Sequence, residues 1–340
     1  MLSSPTMILA LFMMFLGTLM ALSASNWFYI WIALEINMLS FIPVLSSSDN
    51  VSNCEAASKY LLIQAIASAI MLLSSYFMMI NKQEFMYVLN SMLMFALMMK
   101  LGMFPANFWF PPIMQACNWM GSMLLATWQK IAPAFLLIYN IINQENMKII
   151  MLFMALMNTA LGGIIGYNQS NIKAILAYSS ISHMGWFMIP LIYNMPIMSM
   201  YYFFMYLVMS LPVFFIMLYN SSLSPSNSSN IMMLPDSLKI SLMMMLLSLA
   251  GLPPLSGFCP KLMIIKFLLI TSPLLAVIMV MLTCFSLYFY LMLAYNLFWP
   301  FSKLMKFNKM NIYYLLVIIT SFMYTPFLFI IYALILFNKS

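Results

Sequence analysis

Five ionisable side chains lie in stretches that otherwise carry almost no charge. They are Glu35 in WIALEINMLSF, Lys100 in FALMMKLGMFP, Lys130 in ATWQKIAPAF, His183 in AYSSISHMGW and Lys261 in SGFCPKLMIIKF. In a membrane span, each would cost about 3 kcal/mol or more if left facing lipid. All five are therefore expected to face the interior of a helix bundle or water. Their chemistry suits proton transfer. Desolvation lowers the pKa of a lysine, and a nearby carboxylate raises it again, so moving one charged neighbour switches a lysine between holding and releasing a proton. Histidine already titrates near neutral pH. Carboxylate, lysine, lysine, histidine and lysine along one chain read as a proton wire, with the gaps filled by polar groups or water rather than by Leu, Met or Phe. Plainer roles stand beside this one. Glu35 and Lys100 could form an ion pair that only holds helices together, and a buried histidine bonded to a serine or carbonyl is common. Lys266 reads as a side chain that reaches an interface.

The elements that must position these groups follow from composition. The chain has 340 residues, of which 65% are hydrophobic and 6% charged. Its mean hydropathy is +1.02, and a soluble domain carries about 25% charged residues. The chain is an all-α polytopic membrane protein with almost no soluble mass. The net charge of +7 is spread over too many spans to suggest a nucleic-acid binder. All 13 basic residues are lysine, and there are 42 methionines. AT-rich codons and a code that reads an isoleucine codon as Met would give both, so mitochondrial encoding is expected. Cys54, Cys117, Cys259 and Cys284 stand alone with no CxxC, which argues against iron–sulfur, zinc and disulfide frameworks. Residues 1–24 lack a basic start and read as a retained first span rather than a signal peptide.

About eleven spans are expected, at 6–24, 26–45, 57–80, 86–108, 119–142, 147–166, 171–192, 196–219, 237–270, 272–298 and 312–336. Two are interrupted. The fourth carries Lys100 just before Gly102 and Pro105. The ninth is cut by Gly251, Pro253, Pro254, Gly257 and Pro260, with Lys261 next. Proline removes a backbone donor, and freed backbone groups at membrane depth need partners inside protein. The interrupted span is the fourth of five in each half. Residues 1–142 and 147–298 therefore read as two five-helix repeats, inverted because five is odd, followed by a loop and C-terminal helix at 299–340. Loops on the N-terminal side hold Lys59, Lys173, Lys239, Lys303, Lys306 and Lys309. The other side holds Lys82, Lys148 and Lys339, which places the N-terminus on the positive side, the matrix. The sequons at Asn50 and Asn227 read as unmodified loop residues. Gly162 and Gly166 read as a helix-packing face.

Four stretches, MKLGMFPANFWFP, TWQKIAP, IKAILAYSSISHMGW and AGLPPLSGFCPK, together resemble the antiporter-like membrane-arm subunits of respiratory complex I. Within them they resemble the subunit 2 branch of mitochondrial NADH dehydrogenase. The resemblance covers nearly the whole chain. Family members typically have fourteen helices, and the chain resembles the animal branch that is shorter by three at the N-terminus. The resemblance implies proton translocation across the mitochondrial inner membrane, coupled to electron transfer from NADH to ubiquinone. It implies that Glu35 and Lys100 form a coupled pair, that Lys130 links them onward and that Lys261 lies near the exit, with His183 in a family motif. It places NADH, FMN, iron–sulfur clusters and ubiquinone in other subunits and no cofactor or metal in this chain. Expected partners are the other membrane-arm subunits of complex I, membrane lipids and protons. A standalone cation/proton antiporter of the same fold and a purely scaffolding subunit are the competing readings.

Overall fold

The computed structural model describes residues 5–47, 51–80, 86–142, 148–223, 236–253 and 255–298. The expected span 312–336, the loop before it, Lys82, Lys303, Lys306, Lys309, Lys339, Pro254 and the sequon residues Asn50 and Asn227 lie outside the described residues.

The helices are α1 (Pro5–Ser23), α2 (Trp27–Leu45), α3 (Val51–Ile80), α4 (Met86–Leu101), α5 (Phe110–Ala116), α6 (Trp119–Ala126) and α7 (Trp128–Ile142). They continue as α8 (Lys148–Tyr167), α9 (Ile172–Ile192), α10 (Pro196–Leu223), α11 (Asp236–Ala250), α12 (Phe258–Thr271) and α13 (Pro273–Phe298). Eight stretches of helix among the described residues are long and apolar enough to cross a membrane. The chain is a multi-pass membrane protein. Its most enclosed helix is α9, in which nearly every residue is buried.

Both expected interruptions are present. α4 ends at Leu101 on a left-handed glycine, Gly102, at φ 68°. The Gly102 N–H bonds to the Met99 carbonyl at 3.1 Å and the Met103 N–H to Met98 at 3.0 Å, the paired closure that only a glycine accepts without strain. The chain resumes through a short 3₁₀ turn, Asn107–Trp109, into α5. α11 ends on Gly251, at φ 83°, and α12 begins at Phe258. Pro260 and Lys261 thus belong to the first turn of α12, where proline is tolerated, and not to the break itself. Side chains meet the freed backbone groups. Trp109 Nε1 donates to the Met99 carbonyl at 3.1 Å, and the Phe104 N–H donates to Asn158 Oδ1 on α8 at 2.7 Å.

The fifth expected span, 119–142, is also interrupted. Thr127 leaves the α6 geometry at φ −115°, ψ −71°. Four lysines assigned to loops belong to helices, and Lys148 opens α8. Lys59 lies in α3, paired with Glu55 at 2.5 Å on the surface. Lys173 lies in the first turn of α9 and donates to the Cys117 carbonyl, with its ammonium over the Trp119 ring. Lys239, in the first turn of α11, is buried. α3 starts at Val51, one and a half turns before its expected beginning at 57.

The two halves reuse one packing contact. A Cβ on Gly17 of α1 would lie 3.0 Å from the Ala33 carbonyl oxygen and 3.0 Å from the Asn37 nitrogen of α2. A Cβ on Gly162 of α8 would meet the same atoms of Tyr178 and Ser182 of α9, at 2.6 and 2.7 Å, each residue 145 positions further on. Gly166 packs on Tyr178 and Phe289. Gly162 and Gly166 thus serve helix packing.

Gly257 closes the second break. Its φ of −67° suits any residue, but a Cβ there would run into the Ser248 carbonyl oxygen in the last turn of α11. Gly257→Ala is expected to force α11 from α12 at a cost of about 1–3 kcal/mol. A lower thermal midpoint of the protein in its native membrane assembly would show it; an unchanged midpoint would mean the break yields freely.

Candidate functional site

The site grows outward from the ends of broken helices. Lys100 sits in the last turn of α4, 7% exposed, and Lys261 in the first turn of α12, also 7% exposed. Lys130, in the first turn of α7 just past the third interruption, is 2% exposed, and His183 in mid-α9 is 4% exposed. Helix ends leave carbonyls and N–H groups unpaired, so a break inside the bundle places polar backbone next to each lysine. Lys261 uses this directly: its Nζ donates to the Ala250 carbonyl, the end of α11, at 2.8 Å. Gly251 makes the approach possible, since a Cβ there would stand 3.0 Å from Lys261 Cδ and 3.1 Å from Nζ.

Glu35 is half-buried in α2, and its Oε2 is buried without a hydrogen-bond partner. It acts electrostatically on Lys100 and on Tyr60. It does not form a contact ion pair with Lys100, unlike Glu55, which pairs with Lys59 on the surface. A purely structural Glu35–Lys100 bridge is therefore not what the fold contains.

Lys100 and Lys130 line one cavity between α2, α3, α4 and α7. Its volume open to the centre of a water molecule is ≈ 20 Å³, above the ~10–15 Å³ that a single water needs. Asn37, Tyr60, Gln64 and Gln129 supply polar wall. Tyr60 Oη donates to Gln129 Oε1 at 3.4 Å, Gln129 Nε2 donates to Asn37 Oδ1 at 3.1 Å, and Gln64 Nε2 donates to the Lys100 carbonyl at 3.5 Å. Leu34, Met38, Leu101 and Phe110 complete it. The expectation of purely polar gaps is thus corrected: the wall is mixed, because the same side chains seal the bundle. Lys130 Nζ is buried without a hydrogen-bond partner and lies 4.5 Å from the Phe110 ring centre and 5.8 Å from that of Tyr206. A ring face attracts a cation, but it offers no lone pair to take a proton.

His183 Nδ1 is 2.8 Å from Tyr202 Oη, and its ring lies 5.3 Å from the Tyr206 ring. Lys261 and Lys130 both act on it electrostatically. The five groups are thus brought together through shared neighbours: Glu35 with Lys100, Lys100 with Lys130 across the cavity, and His183 with Lys130 and Lys261. This arrangement has room for water at the gap between Lys100 and Lys130.

Residues 24–286, which include both proline-marked breaks and all five groups, match the transmembrane family described as NADH:quinone oxidoreductase/Mrp antiporter. The NADH-ubiquinone oxidoreductase chain 2 of Lumbricus terrestris is 40% identical over 288 residues, 85% of each chain. This chain belongs to the NADH-ubiquinone oxidoreductase chain 2 family. The chain 2 protein of Sylvisorex johnstoni is 39% identical over 287 residues, 82% of each chain. A chain in the structure of respiratory complex I from Thermus thermophilus superposes with a TM-score of 0.79, covering 97% of this chain and 79% of its own. At 20% identity that likeness establishes a shared fold.

The polar neighbours Asn37, Tyr60, Gln64, Gln129, Tyr202 and Tyr206 carry no charge and so do not stand out in the sequence as the five ionisable groups do. A weaker signal existed. Tyr60 and Gln64 stand one turn apart on the buried face of α3, and Asn37 and Gln129 lie within two residues of Glu35 and Lys130.

Proposed function

We propose that the chain is a core membrane-arm subunit of NADH:ubiquinone oxidoreductase in the mitochondrial inner membrane, and that it moves protons while electrons pass from NADH to ubiquinone in other subunits. The observation that carries this is the water-sized cavity shared by Lys100 and Lys130, two lysines buried with no carboxylate in contact. A purely structural cation would be paired, because breaking a buried pair costs several kcal/mol. Glu35 sets the charge state of Lys100, Lys130 hands the proton across the middle, and His183 and Lys261 carry it onward past the second break. FMN, iron–sulfur clusters and the quinone site belong to other subunits. The repeated glycine contact supports two inverted five-helix units, 1–142 and 147–298, with a break near each lysine.

The likeness to Mrp antiporters leaves a second reading, a standalone antiporter, which purification separates. Faces rich in exposed apolar side chains such as Phe12, Leu62, Phe153 and Ile270 suit lipid and neighbouring subunits alike. The chain is expected to co-purify with NADH–ubiquinone oxidoreductase activity and to be degraded when expressed alone. A monodisperse monomer that exchanges cations for protons would overturn the proposal.

A further inference from the structure

The interruption at Thr127 exposes backbone that one distant side chain answers. In an unbroken helix the Lys130 N–H would bond to the Ala126 carbonyl four residues back. Here it turns to the Thr127 carbonyl at 3.3 Å. The Ala126 carbonyl is left over in a fully buried place, where an unpaired acceptor is costly. Tyr206, from α10 in the other half of the chain, donates its hydroxyl to that carbonyl at 3.2 Å. The Ser180 and Ser210 hydroxyls bear on the same phenol. Ser180 stands 145 positions after Glu35, the spacing set by Gly17 and Gly162. The second half therefore has a hydroxyl beside Tyr206 where the first has its carboxylate. The ring of Tyr206 lies 5.8 Å from Lys130 Nζ and 5.3 Å from the His183 ring, so it is a neighbour of both.

We propose that Tyr206 is the positioning residue that couples Lys130 to His183, its hydroxyl holding the α6–α7 break open and its ring fixing the Lys130 ammonium toward the second half. This rests on the relay reading above. The hydroxyl acts through the backbone at Ala126, so its effect reaches the proton path only by way of Lys130. Tyr206 is itself 4% exposed, and its hydroxyl reaches from α10 across to the end of α6.

The test is a double-mutant cycle in the assembled oxidoreductase, with NADH–ubiquinone turnover and proton uptake measured per assembled complex. Tyr206→Phe keeps the ring and removes the hydroxyl. It is expected to assemble, to keep the ubiquinone KM and to lower coupled turnover about fivefold. In a Lys130→Met background the same change is expected to add no further loss, whereas a merely structural role multiplies the two effects. Wild-type turnover in Tyr206→Phe beside a slowed Lys130→Met overturns the positioning role and leaves the relay intact. Multiplied losses overturn it too, as does failure of Tyr206→Phe to assemble, because one neutral hydrogen bond to the Ala126 carbonyl is too small a loss to dismantle the bundle if positioning is the main role of the hydroxyl. Normal pumping in Lys130→Met removes the relay, and the positioning role falls with it.

Discussion

Lys130→Met will leave the oxidoreductase assembled and cut coupled NADH–ubiquinone turnover by about a hundredfold, the low end of what a positioned acid–base group contributes. Methionine keeps nearly the length of lysine and suits a pocket walled by Phe110, Leu125 and Tyr206. Lys130 Nζ makes no hydrogen bond, so its removal orphans no partner and relieves a buried charge. Stability should hold or rise while function falls, a split that a structural lysine would reverse. Assembly is read on native gels and turnover in sealed membranes. A variant that loses assembly in step with activity would return Lys130 to a structural role.

Lys261→Met is expected to lose both assembly and turnover. Its Nζ is the partner of the Ala250 carbonyl at the end of α11, and a hydrogen bond to a charged group contributes about 1.5–3 kcal/mol. Removing it leaves that carbonyl unanswered beside Gly251. It also removes the cation that acts most strongly on His183 after burial. Turnover per assembled complex should fall at least as far as in Lys130→Met, with a smaller yield of complex. Lys261→Arg should not rescue it, because the lysine side chain already fills the space beside Gly251, where an added Cβ would stand 3.1 Å from Nζ, and a wider planar guanidinium would crowd that backbone. Full activity in Lys261→Arg would show that only the charge matters there.

Much of this was legible in residue types. Apolar runs near the length of a bilayer crossing located α1, α2, α8, α9 and α13 to within a few residues, while α3 begins six residues before its expected start. Gly102 with Pro105, and Gly251 with Pro253, located two breaks, because glycine and proline act on the backbone wherever the fold puts them. The break at Thr127 left no such mark. Ala126, Thr127 and Trp128 all tolerate helix, and the carbonyl left over at that turn is answered by Tyr206, 79 residues beyond Thr127 in the sequence. Charge in an apolar run singled out Glu35, Lys100, Lys130, His183 and Lys261. It could not single out Gln129 or Tyr60, whose importance comes from facing one cavity from different helices. Lys173 and Lys239 misled for the same reason: a lysine near a helix start looks solvated until a neighbouring helix covers it.

The central claim, that the buried lysines carry protons rather than hold helices, is tested most directly by counting protons per electron in the assembled Lys130→Met variant in sealed vesicles. The residual NADH–ubiquinone turnover should pump fewer protons per electron than the unaltered complex, or turnover should stop with pumping. A fully assembled Lys130→Met complex that turns over normally and pumps the normal number of protons per electron would contradict it.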